Sequence, residues 1–389
     1  MIVTVWPYLA VLLLAAGLTP SLEHKFGWKI FSVLPPIVLT YLLVTALAVA
    51  GLWQASDAIH EAQSVLTGQL LPALLFLLMV TCDLRAILAM GPRVLAVFAC
   101  AMASILGAIV LSYLIFRSWL PAEGWQMLSA LSATWVGGSA NLLAVKQSIG
   151  MSDSALPAVL LADALCYSVW VVVLFSTAPL APAFNRWTRA STVAPSAQAV
   201  PDPPAETSNP ATPGTVLLWL GIALAVGLVS ARVAGFMPVT TFFTVTTWTV
   251  LSATVAGLLL ARTPLARIPG PGPLASALLA VLVAVLASKS NFEGMAAAPL
   301  FVLCAFSVLL IHVVLLALAA KLFKFDLHLC ALASLAQIGG VASAPLLAAT
   351  YSPALVPLAI LMAMLGLILG TGIGLFMASA LSALAPALG

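Results

Sequence analysis

Charges punctuate this chain at intervals that fit a lipid bilayer. Ile30 to Ser56 runs for 27 residues without an Asp, Glu, Lys or Arg. Arg232 and Arg262 bracket 29 more, and Asp326 is the last charge in 389 residues. A hydrocarbon core takes about 20 apolar residues as α-helix. Only 6% of the residues are charged, against roughly 25% in a soluble domain. That leaves too little polar surface to cover a water-soluble globule. A soluble enzyme, a disordered scaffold and a secreted disulfide module are excluded together, and the expected class is an all-α polytopic membrane protein.

On that ruler the spanning helices fall near 3–19, 31–53, 66–82, 93–116, 155–180, 215–234, 240–261, 273–288, 298–320 and 354–380. Ile2 to Leu18 has no basic residue before it and no clear cleavage site after it, so it reads as a retained helix. The five cysteines (Cys82, Cys100, Cys166, Cys304, Cys330) form no CxxC pair and lie in or beside apolar segments, as buried free thiols do. Net charge is +3, and no run of Lys and Arg forms a nucleic-acid footprint.

Two further apolar stretches, 122–150 and 327–350, are each interrupted by a glycine pair. The first reads Trp135-Val136-Gly137-Gly138-Ser139-Ala140-Asn141, the second Gln337-Ile338-Gly339-Gly340-Val341-Ala342-Ser343. They align without gaps at an offset of 202 residues, about half the chain. Glycine-broken segments at matching places in two repeats mark the binding site of secondary transporters. Phe184 to Pro213, with six prolines and no Leu or Ile, cannot bury a core. The expected division is a membrane repeat over 1–183, a cytoplasmic tether over 184–213 and a second membrane repeat over 214–389.

The broken segments either span with an unwound middle or re-enter on one side. Loop charge discriminates, because Lys and Arg collect on the cytoplasmic side. If both span, the basic residues divide evenly. If both re-enter, ten (Lys25, Lys29, Arg85, Arg93, Arg186, Arg189, Arg262, Arg267, Lys321, Lys324) stand against four. The second arrangement inverts the repeats, leaves both termini outside and makes ten spans plus two hairpins. Half-helix N-termini attract anions and freed carbonyls attract cations. Gly137, Gly138, Ser139, Asn141, Gln337, Gly339, Gly340 and Ser343 are therefore the expected substrate and ion site.

Asp163 lies well inside an apolar span, where an ionisable group usually marks an ion or proton path. Sodium is the metal expected there, held by Asn141 and Asp163, because oxygen-rich, weakly charged surroundings suit it. His312 is mid-helix and is the candidate proton relay; a core histidine bonded to a backbone carbonyl is the competing assignment. Lys146 is expected to snorkel to the surface, and His60 with Asp57 and Glu61 to form a solvated loop. No HExxH, GxSxG, Walker or CxxC motif is present, so no catalytic residues, no cofactor and no enzyme are expected.

Pro72 to Leu78, Asp83-Leu84-Arg85 with Gly91-Pro92-Arg93, Gly137-Gly138-Ser139-Ala140-Asn141 and Ala162-Asp163 resemble, in this order and spacing, a bacterial and plastid membrane-protein family filed as domain of unknown function 819. That family looks related in design to bile-acid/sodium symporters and sodium/proton antiporters. The resemblance implies an elevator or rocking-bundle transporter, with a homodimer as the oligomer suggested by analogy. The expected function is ion-coupled transport, by sodium or proton, of a small polar or anionic organic solute across the bacterial inner membrane. The partners are that solute and membrane lipid, with no nucleic acid. The alternative is a passive channel or a non-transporting component of a complex.

Overall fold

The computed structural model describes residues 1–26, 36–54, 56–190, 210–240, 243–289, 298–352 and 355–385, and of Ala342 the backbone only. Each expected span is helical. The first half holds α1 (Val5–Phe26), α2 (Pro36–Val49), α3 (Asp57–Val80), the short α4 (Leu84–Leu88), α5 (Pro92–Phe116), α6 (Gly124–Gly137), α7 (Ser139–Ile149), α8 (Leu156–Phe175) and α9 (Ala181–Thr188). The second holds α10 (Pro213–Ala234), α11 (Val245–Leu260), α12 (Pro271–Ala287), α13 (Ala298–Phe323), α14 (Leu327–Ile338), α15 (Gly340–Tyr351) and α16 (Val356–Ala383). Among the described residues there is no strand. Among those residues, seven helices are long and apolar enough to cross a membrane (α1, α3, α5, α8, α10, α13, α16). The chain is an all-α, multi-pass membrane protein.

Helix ends show where the apolar ruler stops working. It places the third span at 66–82, but α3 starts at Asp57, behind the N-cap Ser56, whose side chain accepts from Ile59 N–H. Asp57, His60 and Glu61 therefore ride on the first turns of a helix and not in a loop. The physical reason is that a helix continues past the hydrocarbon wherever a cap satisfies its free N–H groups. The tether also starts later than its composition suggests. Phe184 to Thr188 is helical as the end of α9, and Thr212 and Thr215 form a reciprocal capping box ahead of α10 with Pro213 in its first turn. The intervening 191–209 lie outside the described residues.

Two compact units cut across the two halves of the chain. One comprises 1–82, 146–165 and 207–299; the other comprises 83–145, 166–206 and 300–389. Each takes helices from both halves, and α8 passes from the first unit into the second at Leu165. In the first unit α3 is the central element. Leu70 through Leu77 are buried without a break, as in a helix enclosed on all sides, and α10, α11 and α12 pack on it. Gly257 of α11 lies so near α3 that a Cβ there would sit 2.6 Å from the Phe76 carbonyl oxygen. The N-terminus is pinned in the same unit by Ile2 N–H to Leu52 O and Gln54 N–H to Ile2 O, 2.9 Å each.

The second unit is built around α16, which packs on α6 and α15, while α5 packs on α14. Asp83 opens this unit as the N-cap of α4, accepting from Arg85 N–H and Ala86 N–H at 3.0 Å each. Arg93 donates to the Lys324 carbonyl at 3.2 Å. The Asp-Leu-Arg block is thus a helix start. The five cysteines are free thiols, four of them buried.

Candidate functional site

Both broken segments are helical hairpins, and the packing of the second unit proves the fold-back. A Cβ placed on Gly374 of α16 would lie 2.5 Å from Val145 Cγ2 and 2.7 Å from Ala133 Cβ. In a straight helix residues 133 and 145 would stand about 18 Å apart at 1.5 Å per residue. They converge because α7 returns alongside α6. The second hairpin closes at its base, where the rings of His328 at the start of α14 and Tyr351 at the end of α15 stack 4.2 Å apart. Each segment therefore folds back on itself at its glycine pair.

Within each glycine pair the two residues do different work. The second takes the left-handed backbone that turns the chain: Gly138 has φ +85° and Gly340 has φ +63°. Nothing lies within 4 Å of a Cβ built on either. The first glycine of each pair is held by space. A Cβ on Gly137 would lie 2.8 Å from both the Gly366 carbonyl oxygen and Gly370 Cα. A Cβ on Gly339 would collide with Ser343 Oγ and stand 2.9 Å from Leu335 Cδ1 and 3.0 Å from Tyr167 Cε2. Conformation at one glycine and clearance at its neighbour recur 202 residues apart.

The side chains at the tips are less alike. Asn141 is buried and spends its whole amide inside the unit. Nδ2 donates to the Gly137 carbonyl at 2.6 Å and to the Leu367 carbonyl at 3.2 Å, while Oδ1 accepts from the Thr371 hydroxyl. Ser139, half-buried, starts α7. At the other tip Gln337 Nε2 donates to the Phe98 carbonyl at 3.0 Å. Its Oε1 has no hydrogen-bond partner, and neither has Ser343 Oγ, although both residues are buried. The third such atom among the described residues, Ser148 Oγ, belongs to the returning arm α7 and not to a tip. Two orphaned oxygens beside a glycine-broken helix form an incomplete coordination or hydrogen-bonding set, suited to an alkali cation or to a ligand's donor group.

The charged and titratable candidates separate from one another. Asp163 is half-buried on α8, eight residues into the helix, and has interaction partners. Lys146 does not snorkel. It is 3% exposed and its Nζ lies 2.6 Å from Asp153 Oδ1. Asp153 follows α7 by only a short loop, so a local ion pair neutralises the lysine within the protein.

His312 is fully buried and sits in a directional chain. Ser104 Oγ donates to the Ala101 carbonyl, so it accepts from His312 Nδ1 at 2.7 Å. Trp170 Nε1 donates to Ser334 Oγ at 3.0 Å, and that hydroxyl lies 2.8 Å from His312 Nε2, to which it donates. The chain is complete with a neutral imidazole carrying its proton on Nδ1. It ties α5, α13, α14 and α8 together within one unit. The expected backbone carbonyl is replaced by two serine hydroxyls.

Helix α16 carries the seat of the first hairpin through features that its apolar length alone does not signal. Gly366, Gly370 and Gly374 recur every four residues and present a bare face, with Gly366 against the Val136 carbonyl and Gly374 against Ala133 and Val145. Thr371 on the same helix completes Asn141. The signal was available: small residues at four-residue spacing in an apolar helix mark a close helix contact. No curated protein matches the chain. Residues 10–384 match the family described as "Protein of unknown function (DUF819)", and the chain belongs to that family.

Proposed function

We propose that this protein is a secondary active transporter of the bacterial inner membrane, not an enzyme, that couples sodium or proton movement to transport of a small polar or anionic organic solute. The observation that carries this is the second hairpin tip, where Gln337 Oε1 and Ser343 Oγ are buried without partners beside the turn at Gly340. Burying an unsatisfied polar group costs about 1–3 kcal/mol, so two in one hairpin are expected where a ligand supplies the missing bond. Both orphans are neutral oxygens that do not titrate, which favours sodium as the ion bound there. Asp163 remains the group able to change charge within a span. The repeats are inverted in this arrangement, with the tether in the cytoplasm.

The test is solute-driven ion flux in liposomes holding the full chain. Organic acids, amino acids and cell-wall peptides are first screened by thermal shift. The wild-type protein should couple one of these solutes to sodium or proton movement. Gly340→Leu should remain folded, because its Cβ has space, and should lose transport, because the left-handed turn is disfavoured for leucine. Flux of solute with no dependence on either ion would instead favour a passive channel. Full activity in Gly340→Leu would reduce the glycine pair to a packing feature.

A further inference from the structure

A second polar site lies in the first unit, and none of its residues belongs to a hairpin. A cavity of about 300 Å³ is lined by Trp53, Ile59, His60, Gln63, Ser288 and Lys289. Beneath it runs a buried hydrogen-bond network that fixes one of these side chains. Ser288 Oγ donates to the Val285 carbonyl at 2.6 Å, so it can only accept from its other neighbours. The Tyr8 hydroxyl is one of them, at 2.5 Å. Gln63 Nε2 spends one hydrogen on Tyr8 Oη at 3.1 Å and the other on Ser288 Oγ at 3.0 Å. Gln63 is itself a lining residue, and with both amide hydrogens spent, Oε1 is the acceptor it has left to offer.

The opposite polarity comes from Lys289. Its side chain lines the cavity, while the Asp153 carboxylate carries an ion pair to Lys146 at 2.6 Å. Burial lowers the Lys289 pKa from the ordinary lysine value; Asp153 pulls it back up, and Lys146 lowers it further. Two ammonium groups thus share one carboxylate. Asp57 and Glu61 are neighbours of His60 in sequence but do not line the cavity. Trp53 supplies an apolar wall in a fixed orientation, its Nε1 donating to the Ser288 carbonyl at 3.3 Å and its ring meeting Tyr8 edge-on with centroids 5.6 Å apart.

We propose that this cavity binds a small group in which an anion stands beside a hydrogen-bond donor, the anion on Lys289 and the donor on Gln63 Oε1. Amino acids, hydroxy acids and the headgroup of phosphatidylethanolamine share that chemistry. The volume is at the lower end of small-molecule sites, which limits the bound part to a compact headgroup or metabolite. His60 adds an imidazole and Ile59 an apolar contact. The site stands independently of whether the chain transports anything.

The experiment uses the purified full chain in two arms. In maltoside detergent, calorimetry compares L-alanine and lactate with propionate and ethylamine, which each carry half of the pattern. In the other arm, delipidated protein is offered phosphatidylethanolamine or phosphatidylglycerol, and retained lipid is counted by native mass spectrometry. A probe bearing both groups should bind about ten-fold or more tightly than one bearing a single group, since each is a charge-assisted or neutral hydrogen bond. Lys289→Gln, at an exposed side chain, should fold normally and weaken that binding about ten-fold. Gln63→Met should erase the advantage of L-alanine over propionate. Binding of the soluble acids identifies a metabolite site, and selective retention of phosphatidylethanolamine identifies a lipid site; either supports the proposal. No binding in both arms, equal binding of propionate and L-alanine, or an unchanged Lys289→Gln protein overturns it.

Discussion

Gly138 and Gly340 both take positive φ, 202 residues apart, but Asn141 at the first tip has used its whole amide, whereas Ser343 Oγ at the second has no hydrogen-bond partner. The backbone plan is common and the chemistry is not. The first hairpin is seated on α16, where a bare glycine face and Thr371 complete it from within the protein. The second is anchored by a hydrogen bond from the Gln337 amide to the Phe98 carbonyl and by the Trp170–Ser334–His312 chain behind its first arm, and two oxygens near its tip lack partners. The first tip is closed by bonds within the protein, and the second keeps two buried oxygens without hydrogen-bond partners.

The contrast breaks most visibly at the seat of the first hairpin. Gly370 Cα touches Gly137 Cα closely enough that a new Cβ would stand 2.8 Å from it and from Asn141 Cγ. Inserting side-chain volume into a packed core costs about 1–3 kcal/mol, and here backbone must move as well, so Gly370→Leu should lose more than about 3 kcal/mol. Size-exclusion chromatography in detergent should show aggregate in place of a monodisperse peak. A well-behaved variant with wild-type thermal stability would mean the first hairpin is not seated as described.

Next in size is the comparison of amides. Asn141→Ala removes three hydrogen bonds, and at about 0.6 kcal/mol each in a membrane protein the loss is about 2 kcal/mol. Gln337→Ala removes one bond and also an orphaned oxygen, so the two effects oppose and the net should stay below about 1 kcal/mol. Thermal melts of the two variants should rank Asn141→Ala as clearly the less stable. The reverse order would make the second tip the structural one.

Much of this was legible in the chain before its structure. Membrane-length gaps between charges locate ten helices, and the glycine pairs locate both turns, because each of these is a local property of consecutive residues. Charge counting favoured hairpins over unwound spans, and the convergence of Ala133 and Val145 on Gly374 agrees. What was not legible depends on partners far away in sequence. The partner of Asn141 Oδ1, Thr371, stands 230 residues on. The partners of His312, Ser104 and Ser334, lie on two other helices, 208 and 22 residues away. Lys146 is the opposite case: its partner is seven residues away, across a glycine-ended turn that composition does not reveal as a return.

The smallest effect is the most discriminating. Ser343→Ala deletes a buried hydroxyl that forms no bond, so no interaction is lost and the cost of burying it disappears. Stability without ligand should stay the same or rise by up to about 1 kcal/mol. If the orphaned oxygen helps to hold sodium, the wild-type protein should melt higher in sodium chloride than in choline chloride, because a ligand that binds the folded state stabilises it. A ten-fold weaker site would remove about 1.4 kcal/mol of that sodium-linked stabilisation at saturating ion, so the shift should shrink in Ser343→Ala while the choline baseline holds. The same hydroxyl therefore predicts opposite signs in the two salts. A fall in the choline baseline like that of Asn141→Ala would show that Ser343 is structural after all. An unaltered sodium shift on an intact baseline would remove it from the ion site and leave Gln337 Oε1 as the sole unfinished atom at that tip.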